Sequence, residues 1–439
     1  MLTEDDFHPY QTRGIDWMTG RELGFVWLGM GDGKTVIAAT AIAKMGIPAI
    51  VVGTKRIIEE TWPKELKKWA HLESIHYAAA TGPKKKREAA VAAKPEILGV
   101  NYESLAWLVR SGGTTGRGLL VYDEVSKMKS HDATRFKVMD AAMKSALQKP
   151  KAFGLTATPA SEGVGGLWSQ WRAIGGDDRL GRNITAFRNR FAQQKFRGAF
   201  TEYVYNDDAK EKIGELLSPD VFTIDSGERP YDQEVVFDLV RVPWGSKKAR
   251  EQYRAMEKKL VAEVAGGGNI LAASRGVASG KCRQLATGFI FDEDRVPHFT
   301  DPGKFDALVE ELEALQGEPC LVFYQFIPEK DELLRRVPSL HTIEEGTHGQ
   351  VLLHPRSAGH GLNLQDTRYV FFSSVPWSAD EYTQAIGRVN RQGQLGQPVV
   401  KVFEREDSID EEVLLSAQQK IRSEEAIIER MRGRQEGWT

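Results

Sequence analysis

Cysteine is nearly absent: Cys282 and Cys320 are the only 2 among 439 residues. Two cysteines so far apart give no disulfide framework and no cysteine-rich zinc site, and they point to a reducing compartment. The 9 histidines are scattered, and none falls in HExxH spacing. No apolar run approaches the length of a membrane span, so no membrane partner is expected. The opening Met1-Leu2-Thr3-Glu4-Asp5-Asp6 is acidic and has no apolar signal core, which predicts a cytoplasmic location. An excess of one charge is also missing. Lys and Arg number 59 against 61 Asp and Glu, a net charge of −2, so any nucleic-acid contact needs a local basic groove. The densest basic run, Lys84-Lys85-Lys86-Arg87, reads as the solvated start of a helix after Gly82-Pro83, ahead of its resemblance to an import signal. Short-period repeats are lacking.

What is present fits a soluble globular enzyme: 41% hydrophobic and 27% charged residues, in a chain long enough for two or three domains. Residues 24–53 read as strand, loop, helix, strand. Phe25-Val26-Trp27-Leu28 is apolar, a glycine loop follows, and Thr35 to Lys44 suits a buried helix stopped by Gly46. Ala49-Ile50-Val51-Val52 completes a βαβ unit, whose crossover is right-handed as a rule. Leu119-Leu120-Val121-Tyr122 and Ala152-Phe153-Gly154-Leu155 read as further buried strands, each ending in a polar cluster. Ligands of open parallel sheets sit beyond the carboxyl ends of the strands, where all these clusters fall. From about 165 to 290, aromatic and charged residues alternate at helical spacing, as in Phe187-Arg188-Asn189-Arg190-Phe191. After about 300 the strands return, as Leu321–Tyr324, Gln350–Leu353 and Tyr369–Phe372. The pattern predicts two α/β lobes of similar build.

The clusters carry distinct chemistry. In Gly29-Met30-Gly31-Asp32-Gly33-Lys34-Thr35 the glycines let successive N–H groups face a phosphate, at the positive end of the following helix. Lys34 would reach the β- and γ-phosphates, and the Thr35 hydroxyl would ligate Mg²⁺. Leu28 stands where the full motif has glycine. Asp123-Glu124, ending a strand, suits a metal ligand (Asp123) beside a residue that orients or deprotonates water (Glu124), although a solvated turn would look the same in isolation. Thr156-Ala157-Thr158-Pro159 reads more simply as a turn held by threonine and proline than as a γ-phosphate sensor. Gln11 has the donor and acceptors that an adenine edge needs. Arg388 and Arg391 are three residues apart, which on a helix puts both guanidinium groups on one face. They could supply the cationic finger that the glycine loop's own lobe lacks.

Tyr10-Gln11, Gly31-Asp32-Gly33-Lys34-Thr35, Trp62-Pro63-Lys64-Glu65, Asp123-Glu124, Leu155-Thr156-Ala157-Thr158-Pro159, Gly359-His360-Gly361-Leu362-Asn363-Leu364 and Gln384 to Gln394 occur in this order. That order resembles superfamily 2 helicase-like ATPases of the SNF2 branch, especially in Gln-Ala-x-x-Arg-x-x-Arg-x-Gly-Gln, and most of all the compact phage or prophage members. Ser408-Ile409-Asp410-Glu411-Glu412 with Lys420 is similar to that family's closing helix. The resemblance covers nearly the whole chain. It implies an α/β fold of two RecA-like lobes, parallel sheets flanked by helices, with helical insertions. It implies ATP and Mg²⁺ in the cleft and double-stranded DNA as partner. Lys34, Glu124, Gln384, Arg388 and Arg391 would be catalytic; Gln11, Gly31, Asp32, Gly33, Lys34, Thr35 and Gly361 would hold the nucleotide; Thr35 and Asp123 would hold the metal. Thr54, Lys55, Asn101, Ser357 and Trp377 fall in or near motifs that touch DNA. Ser126 stands where many relatives have histidine, and Gly53-Thr54 replaces the commoner proline-containing strand end.

The expected division is an ATP-binding lobe at 1–225, with a helical protrusion at about 165–217, and a helicase lobe at 226–439, with a helical protrusion at about 246–288. The expected activity is DNA-stimulated ATP hydrolysis by a monomer translocating on duplex DNA and displacing bound protein, within a bacterial host if phage-encoded. The rival readings are a strand-separating DNA or RNA helicase, for which no wedge is visible in sequence, and a nucleotide-dependent scaffold or motor subunit acting through a protein partner.

Overall fold

The computed structural model describes residues 1–145, 149–160, 163–197, 200–229, 234–259, 261–263, 269–271, 275–357, 364, 367–390, 394 and 396–432. The chain divides into two compact units, Met1–Pro230 with Arg422–Thr439, and Tyr231–Ile421. Among the described residues no helix is long and apolar enough to cross a membrane.

In the first unit, strands β1 (Leu23–Trp27), β2 (Ala49–Gly53), β3 (Tyr77–Ala80), β4 (Ile97–Asn101), β5 (Leu119–Asp123) and β6 (Lys151–Thr156) alternate with helices, including α1 (Pro9–Thr19) and α2 (Lys34–Met45). A hairpin of β7 (Ala192–Arg197) and β8 (Phe200–Tyr205) stands apart, and β9 (Val221–Phe222) returns to the sheet. The sheet order is β3-β4-β2-β5-β6-β1-β9, parallel throughout. Successive strand residues serve opposite faces, so the strands must be apolar on both. Phe25, Trp27, Ile50, Val52, Leu120 and Tyr122 enter one core, and Val26, Val51, Leu119, Val121, Phe153 and Leu155 the other. Each such side chain, fully buried, contributes about 1.5–3 kcal/mol.

In the second unit β10 (Val236–Val242) precedes two short hairpins, β11 (Val261–Glu263) with β12 (Asn269–Leu271) and β13 (Phe289–Phe291) with β14 (Pro297–Phe299). Strands β15 (Cys320–Phe323), β16 (Leu340–Thr342), β17 (Gln350–Leu353), β18 (Tyr369–Phe372) and β19 (Val399–Arg405) complete a parallel sheet in the order β10-β19-β18-β15-β17-β16. At the end of β19 the buried Arg405 pairs with Asp301 at 3.2 Å and donates to the carbonyl of Pro243 at 2.6 Å. Buried Lys304 meets Asp410 at 2.8 Å, fixing the start of the closing helix Ile409–Arg432. Removing one member of such a pair leaves an uncompensated buried charge, at a cost of about 3–5 kcal/mol.

Two expectations change. The protrusion between 165 and 217 contains the β7–β8 hairpin as well as helices Leu167–Ala173, Ile184–Phe191 and Ala209–Leu217. The arginine-bearing stretch is not one helix: helix Ala379–Ile386 stops at Gly387, whose N–H closes on the Thr383 and Ala385 carbonyls. Arg388 lies in the turn beyond it, so the one-face argument does not hold. Arg391 and Gly361 lie outside the described residues.

Candidate active site

Three adjacent strands build the site in the first unit. Parallel pairing sets Trp27 beside Thr156 and Asp123 beside Leu155, so β1, β6 and β5 deliver the glycine loop, Thr156 and Asp123-Glu124 to one carboxyl edge. Gly33 caps α2 in the left-handed region, at φ 77°, and a Cβ there would lie 2.3 Å from the Gln11 Nε2. Gln11 accepts from the His8 backbone N–H at 3.0 Å and donates to the Asp32 carbonyl at 3.4 Å, so the candidate base reader is anchored on the phosphate loop.

Lys34 turns its ammonium into the loop, donating to the carbonyls of Leu28 at 2.9 Å and Gly29 at 2.7 Å. Burial holds its pKa below the ordinary lysine value, while Asp32, Glu124 and Asp123 pull the other way. An arriving phosphate would act in the same direction as these carboxylates. Thr35 follows in the first turn of α2.

Asp123 and Glu124 are both buried. The Trp62 indole donates to Asp123 Oδ2 at 2.9 Å. Glu124 has left-handed backbone, φ 69° and ψ 59°, a conformation that costs a non-glycine residue on the order of 1–3 kcal/mol unless its surroundings fix it. The surroundings are visible: Ser126 and Thr156 hydroxyls donate to Glu124 Oε1 at 2.6 and 2.5 Å, and Thr156 Oγ1 accepts from the Thr158 N–H at 3.0 Å. The Tyr102 hydroxyl bridges the Asp123 and Glu124 carbonyls at 3.1 and 2.8 Å. Burial, then Glu124 and Asp123, push that phenol well above its ordinary pKa, so it remains a neutral donor. The carboxylate is thus held where it can accept a water proton.

Sequence reasoning missed Tyr102 and the roles of Trp62 and Ser126, and gave Thr156 to a simple turn. It also missed Arg229, whose Nε lies 3.1 Å from the buried Asp32 carboxylate. Gly29 permits this approach, because a Cβ at 29 would lie 2.8 Å from the Arg229 guanidinium. The pairing of β9 with β1 is what leads residue 229 back to the loop.

The other candidates are dispersed. Thr54 and Lys55 follow β2 and Asn101 ends β4, its neighbour, with Gly53 beside Asn101. Lys55 is exposed, whereas Asn101 is buried and donates to Glu103 at 2.7 Å. In the second unit Ser357 is exposed in the turn after β17, and Trp377, 44% exposed after β18, has the Arg283 guanidinium 5.5 Å from its ring centre. Gln384 is buried and donates to Asp380 at 2.9 Å, and Arg388 is buried.

Residues 10–212 match the SNF2-related domain, and residues 335–393 the helicase conserved C-terminal domain. Protein p41 of Acyrthosiphon pisum secondary endosymbiont phage 1 is 31% identical over 457 aligned positions, spanning 97% of this chain and 98% of that protein. The DNA 3'-5' helicase XPB of Kineococcus radiotolerans is 27% identical over 37% of this chain and 28% of its own length. A solved SWI2/SNF2 ATPase core from Sulfolobus solfataricus, in complex with dsDNA, aligns at 19% identity and a TM-score of 0.46, covering 97% of this chain and 93% of that one. Full-length kinship with the phage protein and two domain matches in the expected order place the chain in the SNF2-related family of helicase-like ATPases.

Proposed function

We propose that this protein hydrolyses ATP at the Gly29–Thr35 loop and uses the cycle to translocate on double-stranded DNA and displace bound protein. The observation that carries the hydrolytic half is the Glu124 carboxylate, fixed by Ser126 and Thr156 beside Lys34. The loop N–H groups and Lys34 hold the β- and γ-phosphates. Glu124 takes a proton from water as its oxygen bonds to the γ-phosphorus, and the bond to the bridging oxygen breaks to release ADP. Arg388 and Arg391 would stabilise the charge that develops.

The donor set suits Mg²⁺: a hydroxyl at Thr35 and one carboxylate at Asp123 are hard oxygen ligands that leave positions for phosphate oxygens and water. When bound, Mg²⁺ would neutralise charge on the phosphates.

Thr156→Val keeps the shape of the side chain and removes one of the two hydroxyls on Glu124. About tenfold lower kcat with unchanged KM for ATP is expected in steady-state kinetics, since the ground-state phosphate contacts are untouched. A raised KM at normal kcat would instead assign Thr156 to nucleotide binding.

The translocase reading is supported by the family and by exposed Lys55, Ser357 and Trp377, which follow strands β2, β17 and β18. ATPase rates titrated with single-stranded DNA, duplex, fork and RNA test it. Duplex should stimulate severalfold or more, with an apparent affinity that falls as salt rises. Equal rates with and without every nucleic acid would refute it. Stimulation by RNA alone would move the substrate class.

A further inference from the structure

The β7–β8 hairpin is anchored at its base and armed at its far end. Phe187 and Phe191, both buried on the preceding helix, lie 5.1 Å apart, and Phe187 reaches Tyr205 at 6.1 Å. The Asn206 N–H bonds the Phe191 carbonyl at 2.9 Å and closes the base. Four residues beyond Ala192, roughly 13 Å along the strand, Phe196 is 76% exposed. Alternation along the strand puts Gln194 and Phe196 on one face, together with Tyr203, which pairs with Gln194. On that face Gln194 donates to the Tyr203 hydroxyl at 3.0 Å, and the Arg188 guanidinium stacks 4.2 Å from the Tyr203 ring centre. Diagonal neighbours in such a ribbon are about 7–8 Å apart.

Charge selects the partner. Between 182 and 205 the charged residues are Arg182, Arg188, Arg190, Lys195, Arg197 and Glu202, five positive and one negative, giving +4 in a chain of net −2. An exposed aromatic among cations fits a nucleic acid with an accessible base face. Intact duplex hides those faces in its stack, whereas a fork presents unpaired bases next to paired ones.

We propose that this hairpin is a DNA-junction reader, in which Phe196 stacks on the first unpaired base of a forked DNA while Arg188 and Arg190 lie along the flanking phosphates. The proposal rests on the DNA reading above and adds a preference that the ATPase motifs do not supply.

The test uses the full chain and fluorescence anisotropy with two probes of equal sequence, a blunt duplex and a fork carrying 2-aminopurine at its first unpaired position. Wild type should bind the fork about tenfold tighter and quench the 2-aminopurine. Phe196→Ala should abolish both the preference and the quenching, with duplex affinity unchanged. Phe196→Trp should retain both. Arg190→Glu should weaken binding to both probes by a similar factor. A wild type without fork preference, a Phe196→Ala variant that keeps it, or a Phe196→Trp variant that loses it would overturn the proposal. Duplex stimulation of the ATPase, measured in parallel, reports on translocase function separately from the fork-to-duplex ratio.

Discussion

Glu124→Gln should bind ATP as tightly as wild type and turn it over at a rate lower by a factor on the order of 10²–10⁴, the usual contribution of a positioned general base. The substitution is nearly silent structurally. A glutamine Oε1 can still accept from Ser126 and Thr156, which now hold the carboxylate at 2.6 and 2.5 Å. The Tyr102 bridge is to backbone carbonyls and is unaffected. What disappears is the capacity to accept a proton from water. Calorimetric titration with ATP and single-turnover hydrolysis check the two halves of the statement. Wild-type turnover would remove Glu124 from the chemistry, and lost binding would show that it supports the loop instead.

Lys34→Ala should fail at both steps. Its ammonium is the cation inside the loop, and removing one preorganised charged donor to a reacting phosphate costs about 3–4 kcal/mol, or roughly 10²–10³ in rate. Nucleotide affinity should fall as well, because the same ammonium contacts the ground-state phosphates. The fold should survive, since the Leu28 and Gly29 carbonyls it now satisfies can turn to water at a partly exposed loop. Melting temperature within a few degrees of wild type, with steady-state ATPase near background, is the expected pair of results. Turnover near the wild-type rate would refute the assignment of the loop.

Local signals carried much of this site. A strand, a glycine loop ending in Lys34-Thr35 and an apolar helix are contiguous, so their arrangement follows from propensity and from the glycines. Asp123-Glu124, which alone reads equally as a solvated turn, was legible because the glycine loop accompanies it in the same chain. The support around Glu124 was not legible. Tyr102 and Thr156 are 22 and 32 residues away, and sheet order alone makes them neighbours. Ser126 was noted as a departure from histidine, yet its bond to Glu124 depends on the left-handed backbone at 124. In the second unit Gly387 was itself the stop signal for the helix, overlooked because the arginine spacing suited a longer one. The Phe187–Phe191 alternation was correctly helical, but the strands that follow it gave only short, polar alternation with no core to face.

The ion pair between Arg229 and Asp32 joins positions 197 residues apart. The polypeptide leaves the glycine loop, builds the sheet of the first unit, and touches that loop again one residue before the unit's first segment ends at Pro230. The last described residues of this stretch are therefore tied to the glycine loop itself. Were the loop to take up a nucleotide, as proposed, the phosphates would bear on a carboxylate already paired with Arg229, so filling the loop would be felt as charge 197 residues further along the chain.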